Sequence, residues 1–442
     1  MPGSKVRHQR TGARAALGPA LTALTALALL AGCGQGGIVG MARNDPTAPA
    51  GAAMPEAAAQ SQRIAGLQAR RSLLPPGGAY AQVADAVLRA DSGASAAQLR
   101  MARLKAEARD KNWLPRIGPS VTLSSLSGLA AGLLIDQALF DNGRRKAERA
   151  HAAADVEVAA VALATDINAR VHDGLVAHVT AERARAQAAV SARALARIED
   201  FARIMDERVA GGLSDRSEAQ VIAQKRAEFA AMLASDRQAE AVASADLAAL
   251  SGGAASSVRG IDRLAVGTAT ARPLSVEKAE AEGARAVAEA QMERADLLPG
   301  LSAGVNVGTD GIDPGIRLGG GLLGMGTKAE VAALEATGDA MARRSAEAAE
   351  TAERRIVALQ GQIGVLQDRE AQGAAVLAET ESNLALFAEQ YKVGRRSLLE
   401  LAGQYDSFAR LERDQAAIRH EIALIELEIA RDRGLLVDGA RM

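Results

Sequence analysis

Apolar residues in the C-terminal third of the chain recur on a seven-residue period. Ile356, Ile363, Leu377, Leu384 and Tyr391 share one register and Leu359, Leu366 and Phe387 the other, with Glu370, Gly373 and Thr380 interrupting it. After a break at Gly394, Leu398, Leu401, Tyr405 and Phe408 continue with 3,4,3 spacing. One three-residue step then leads into Leu411, Gln415, Ile418, Ile422, Ile425 and Ile429. A sustained heptad predicts helices packed as coiled coils, and the short step predicts a local change of supercoil. The run before the break approaches seventy residues, a rod of roughly 100 Å at about 1.5 Å per residue. No compact domain needs such a length, so the rod must cross a space.

A second period appears in shorter stretches. In "LSAGVNVGT", Leu301, Ala303, Val305 and Val307 alternate with Ser302, Gly304, Asn306 and Gly308, and "PGIRLGGGLL" sets Ile316 and Leu318 against Gly315, Arg317 and Gly319. "IGPSVTLSS" places Ile117, Val121 and Leu123 on one face, and "AAGLLIDQALF" follows it. Alternation predicts strands with one apolar and one polar face. Each run is about 9 to 11 residues, the length of a tilted strand that spans a bilayer.

These elements occur twice. "AEARDKNWLP" and "AQMERADLLP" each close a helix with Leu-Pro 184 residues apart, and "GLSDRSE" and "GRRSLLE" match at an offset of 182. Two anchors at nearly equal offsets indicate a duplicated unit. The predicted layout is a first repeat over 77–251, a linker over 252–273, a second repeat over 274–436 and a tail over 437–442. Each repeat carries a helix, two strands and a long helical hairpin. A spanning sheet must close so that no edge faces lipid. Four strands cannot enclose a pore, whereas three chains supply twelve; the fold class expected is mainly α with a short β part.

Composition agrees with long helices joined by narrow seams: aromatics are 2% and charged residues 24%. The formal net charge of −1 makes no case for nucleic acid. The first 32 residues have the form of a secretory signal, with Lys5, Arg7, Arg10 and Arg14 ahead of an uncharged Ala/Leu run. The run ends in "LLAGC", which resembles the lipobox of bacterial lipoproteins, so Cys33, the only cysteine, is the expected lipidation site. Gly34, rather than aspartate, follows it, which favours the outer membrane. Residues 33–76, rich in Ala, Gly, Pro and Gln, are expected to form a flexible, lipid-anchored segment, either a tether or an irregular wrap on the surface.

In this order, "LPRIGPSV", "ALFDNGRRKAE", "RVAGGLSDRSEAQVIAQ" and "YKVGRRSLLELAGQ" resemble the TolC-type outer membrane factors from about Ala79 to Leu436. The resemblance implies a homotrimer in the outer membrane of a Gram-negative bacterium. Its strands form a barrel, its helices a periplasmic tunnel, and it passes substrates from an efflux pump or type I secretion system. The implied partners are a periplasmic adaptor and an inner membrane transporter. Gly212, Leu213 and Ser214 match the first adaptor-docking tip, and Val393, Gly394 and Arg395 the second. Tyr391 and Arg396 match residues that hold the closed aperture, with Glu218 and Ser217 their partners in the neighbouring hairpin. Glu400 matches an acidic residue facing the tunnel, whereas Gly403 stands where some members carry a second acid.

Other motifs add no chemistry. Gly319 to Gly324 satisfies G-x-G-x-x-G, but the very long helix behind it does not suit a dinucleotide fold. His151, His172, His178 and His420 lack metal-ligand spacing, and no catalytic constellation or cofactor is expected. The alternatives are a periplasmic adaptor and a structural coiled-coil lipoprotein; two strand-bearing repeats disfavour the first, and paired strand signals the second. Cys33→Ser is expected to abolish acyl labelling and leave the leader uncleaved by the lipoprotein peptidase, as checked by palmitate incorporation. Undiminished incorporation would refute the lipobox reading.

Overall fold

The computed structural model describes residues 61–125, 128–308, 311–319 and 324–441. Cys33 and the leader lie outside them, as does most of the Gly319 to Gly324 motif. Helices α1 (Gln62–Gln68), α2 (Ala79–Arg89) and α3 (Ala94–Asp110) lead into strands β1 (Arg116–Ser125) and β2 (Gly128–Phe140). The hairpin of α4 (Arg144–Ala210) and α5 (Arg216–Ser251) follows. The second repeat gives α6 (Leu274–Asp296), β3 (Gly300–Gly308), β4 (Gly311–Gly319), α7 (Thr327–Lys392) and α8 (Leu398–Asp432). At 67 and 66 residues, α4 and α7 have the expected length. β2, at 13 residues, exceeds the expected 9 to 11. It pairs with β1 over Gly128–Asp136 and with β3 over Gly132–Phe140, and this offset between its two partners extends it.

Local chemistry sets the transitions. Pro115 and Pro299 follow the ends of α3 and α6, where the residue before proline is driven to extended backbone and a strand begins. At the other end of the first strand pair, the Asp141 carboxylate accepts from the backbone N–H groups of Gly143 and Arg145. It thereby satisfies donors left over at the start of α4. Asn142 Nδ2 donates to Pro299 O at 2.9 Å, which ties this turn to the second repeat.

The same sequence of elements appears in three layers. The sheet is antiparallel in the order β1-β2-β3-β4. Next to it, α3 packs on α4, α4 on α6 and α6 on α7; towards the hairpin tips, α5 packs on α4, α4 on α8 and α8 on α7. First-repeat elements thus end one side of every layer, and β4 or α7 ends the other. Burial follows position: α4, inside the arc, buries residues along its whole length, whereas α7 buries only Ala352, Ile356 and Leu359. Among the described residues no helix is long and apolar enough to cross a membrane.

A belt around the middle holds the repeats together. Val171, Leu175 and Val179 of α4 pack with Tyr80, Val83 and Val87 of α2 and with Leu427 and Ile429 of α8. A Cβ on Gly174 would lie 2.6 Å from Val87 Cγ2, so glycine is what lets α2 sit this close. The segment between the repeats is clasped by side chains: Gly260 N donates to Glu182, Leu264 N donates to Glu426, and His178 Nε2 lies 2.7 Å from Gly260 O. Residues 61–76 are not a flexible tether. Arg63 pairs with Glu157, Glu277 and Glu280, Leu67 is buried, and Leu73 N donates to Leu435 O. Composition concealed this because the partners lie far away along the chain.

Burial holds the His178 imidazole below its ordinary value of 6.5, opposed by its bond to Gly260. At neutral pH the neutral ring donates from Nε2. The folded chain therefore binds fewer protons than the unfolded chain. This contribution to stability is complete above about pH 6.5 and is lost as pH falls towards the folded value. Burial pushes Glu426 above 4.5 and acts in the opposite sense, removing stability as pH rises from 4.5 through the raised value. The unfolding temperature in detergent should drop between about pH 7 and 5.5. His178→Gln, which can donate to the same carbonyl without titrating, should show a smaller drop; equal drops would refute the assignment.

Candidate functional site

The sheet has two chemically distinct faces. Register places Ile117, Ile135, Val305 and Pro314 in one cross-strand row and Pro119, Leu133, Val307 and Ile312 in another. Ala303, Ile316, Leu301 and Leu318 extend this apolar face, with Gln137 beside Ala303 its polar member in these rows. The opposite face carries Arg116, Asp136, Gly304 and Gly315 in one row and Gly118, Leu134, Asn306 and Asp313 in the next, with Leu134 its one large apolar member in these rows. Ser120 Oγ donates to Asn306 Oδ1 across it at 2.8 Å. A Cβ on Gly132 would lie 2.8 Å from the same oxygen, so small residues let this face close in. Every residue of β4 is exposed, as are Ile117 and Val121 on β1. Trp113 and Phe140 stand exposed at one end of the first strand pair, a suitable position for interfacial aromatics.

At the far end the two hairpins turn through equivalent caps. Gly212 (φ 70°) and Gly394 (φ 75°) occupy the left-handed region. Leu213 N donates to Arg208 O and Gly212 N to Val209 O; Arg395 N donates to Gln390 O and Gly394 N to Tyr391 O. Both are Schellman caps, which need a residue tolerant of positive φ at C′. The caps push Leu213 and Val393 into solvent, at 70% and 68% exposure. One further bond repeats with its roles exchanged. Arg208 Nε donates to Ser214 Oγ at 3.1 Å in the first tip, and Arg396 Nε donates to Gln390 Oε1 at 3.0 Å in the second. Arg208 corresponds to Gln390 and Ser214 to Arg396 under the duplication, so the repeat offset was the signal that would have revealed Arg208.

The remaining predicted residues divide between the tips. Ser397 and Glu400 form a capping box at the start of α8. The Ser397 backbone N–H and the Arg396 guanidinium hold the Glu400 carboxyl below its usual range. Arg396 Nη1 donates to Glu400 at 2.9 Å and its guanidinium lies over Phe387, 4.7 Å from the ring centre. Among the described residues no ion pair or hydrogen bond joins Arg396 to Ser217 or Glu218 within the chain. Those two residues sit in the first turn of α5, and Tyr391 packs into an apolar cluster between the hairpins.

That cluster is the stronger fastening. Ile198, Phe201, Met205, Ile222 and Phe229 of the first hairpin pack with Leu398, Leu401 and Ala402 of the second, and Phe201 meets Tyr405 edge to face at 5.9 Å. Each fully buried side chain contributes about 1.5–3 kcal/mol, more than exposed ion pairs do in general. Lys225–Asp406 and Glu228–Arg410, each 2.7 Å, then link α5 to α8. Beyond them the buried Asp236 accepts from Ser191 and Arg413. Sequence reading missed these pairs, because the period of a helix shows which face is apolar but not which distant charge lies opposite. Among the described residues no group of His, Cys, Asp and Glu could hold a metal ion.

No family model and no curated protein matches the chain. Solved structures do. The outer membrane protein VceC of Vibrio cholerae superimposes with a TM-score of 0.68 at 16% identity, over 80% of this chain and 95% of its own. The CmeC outer membrane channel of Campylobacter jejuni gives 0.69 at 11%, over 82% and 88%. The outer-membrane channel OprN gives 0.71 at 15%, over 83% and 93%. The chain has the fold of the TolC-type outer membrane channels.

Gly394→Val should cost roughly 1–2 kcal/mol locally, because a β-branched residue is forced to positive φ, whereas Gly394→Asn should cost less. Hydrogen exchange at the Arg395 amide reads this directly. Val and Asn variants with wild-type protection would show that the cap does not depend on glycine.

Proposed function

We propose that three copies of this chain close into one duct that carries substrates across the periplasm and through the outer membrane. The observation that carries this reading is the shared order of the three layers, each an open arc ending in a first-repeat element on one side and β4 or α7 on the other. Direction alternates along every layer, so β4 meets the next copy's β1 antiparallel, and α7 runs antiparallel to the next copy's α3 and α5. The closed sheet leaves no edge in lipid. Its apolar face turns to hydrocarbon and its polar, glycine-rich face to the lumen. The fold shared with known outer membrane channels supports the location, and a lipidated Cys33 would add a second anchor.

The tips, with exposed Leu213 and Val393 beside Gly212, Ser214, Gly394 and Arg395, form the surface for a periplasmic adaptor, which couples the duct to an inner membrane transporter of an efflux pump or type I secretion system. The same ring sets the second tip beside the first turn of the next copy's α5. The contacts of Arg396 and Tyr391 with Ser217 and Glu218 therefore belong between copies, around an aperture that Glu400 faces.

The purified protein should be a trimer in detergent by mass and should conduct in planar bilayers. A conducting monomer would refute the shared barrel. Arg396→Ala with Tyr391→Phe removes one guanidinium and one hydroxyl and leaves the apolar cluster in place. It should leave the trimer intact and raise the open fraction several-fold; unchanged conductance would remove these residues from the aperture.

A further inference from the structure

The first hairpin is covered on one face only around its middle. With about 3.6 residues per turn, Val171, Leu175 and His178 share one side of α4, and Asp173, Val176 and Thr180 share the opposite side. The first side carries the belt. Val171 and Leu175 pack with α2 and with Leu436 and Val437, while His178 and Glu182 hold Gly260 of the segment between the repeats. On the second side α4 and α5 leave a groove of about 900 Å³, lined by Val176, Ala177, Ala239, Val242 and Leu250. Alanines on both helices leave the seam unfilled, and Val242 is 52% exposed in it. Along α5 the groove runs from Ser235 to Leu250, a length of about 20 Å at about 1.5 Å per residue. Such a volume with an apolar lining suits a small molecule.

The charge lining this groove has one sign. Asp173 and Asp246, both exposed, stand at its barrel end, and the uncharged Ser235 and Gln238 at its tip end. Among the described residues Asp246 has no ion-pair or hydrogen-bond partner. Asp173 meets only the His172 ring, with Nδ1 at 3.4 Å. Burial and the nearby Arg431 hold that imidazole below its ordinary value of 6.5, so it is neutral at pH 7. Arg185, on the same seam, is taken by Glu240 at 2.9 Å and by Glu182. Both groove carboxylates are therefore left without a countercharge.

We infer that this groove binds elongated apolar molecules with one cationic end, on the inner wall of the duct. The inference rests on the three-copy reading above and gives the duct a class of cargo. Closing the arc puts the belt of every copy on the same side of the wall, and belts turned inward would obstruct the bore. The bare side of α4 and α5 therefore faces the lumen. There, two carboxylates from each copy attract the cationic end at one level of the tunnel. The apolar lining takes the body of the molecule, and the open form of the groove lets it leave again.

Dodecyltrimethylammonium is a suitable probe, because its charge does not titrate and its tail fits within the groove. Added to the protein conducting in planar bilayers, at concentrations that leave a protein-free bilayer intact, it should block the current saturably. Dodecyl sulfate and uncharged dodecyl maltoside should not. Asp173→Asn with Asp246→Asn should raise the half-blocking concentration several-fold, as should Ala239→Trp, which fills the groove from an exposed position. In reconstituted vesicles the same probe should slow alkylation of Val242→Cys by a water-soluble maleimide several-fold. Unblocked current, or equal block in all variants, overturns the site while leaving the duct in place. Block without protection of Val242→Cys places the block elsewhere, and protection without block places the groove outside the lumen; either result overturns the inference. A wild-type chain that does not conduct overturns the duct itself.

Discussion

The outer edge of a β-sheet presents a row of N–H and C=O groups that hydrocarbon cannot satisfy. This sheet has two such edges, on β1 and β4, together with one apolar face and one polar face. In the proposed duct the rest of the architecture follows from that constraint. Because β2 and β3 bring the repeats together, the helices leaving the sheet inherit its order. The same arc continues down to the tips, with α4 covered on several sides and α7 bare along most of its length.

Unequal burial of the two long helices has energetic consequences. Hydrophobic burial, about 25 cal/mol per Å², extends along the whole of α4 within a single chain. Along α7 most of the surface stays uncovered within the chain. Between the hairpins the division is different: an apolar cluster supplies the attraction near the tips, and the pairs from Lys225–Asp406 to Asp236–Arg413 set which residue of α5 faces which residue of α8. Breaking the buried Asp236 pairing would cost more than breaking any exposed pair at the tip, because an unpaired buried charge keeps its desolvation penalty.

Duplication explains why two tips of different composition turn alike. The Schellman cap depends on backbone groups and on one residue at positive φ, so Gly212 and Gly394 suffice while the side chains around them vary. The donor and acceptor exchanged between Arg208–Ser214 and Gln390–Arg396 show how far that variation goes. A contact can persist between equivalent positions after both residue types have changed.

Long helices, the Leu-Pro boundaries, the glycine breaks and the alternating strands were all legible in the chain, because each rests on interactions between residues near one another in sequence. The heptad residues Ile356, Leu359 and Ile363 indeed line the inward side of α7. The order of residues 61–76 and of the linker between the repeats was not legible in the chain. Their order depends on partners such as Glu277, Leu435, Glu182 and Glu426, which no local pattern reveals. Only the tertiary structure decided that Arg396 is held by its own hairpin, that Asp236 is buried opposite Arg413, and that α7 is left uncovered. Local periodicity determines which face of an element is apolar; which other element covers that face, or whether any does within one chain, depends on how distant segments close on one another in space.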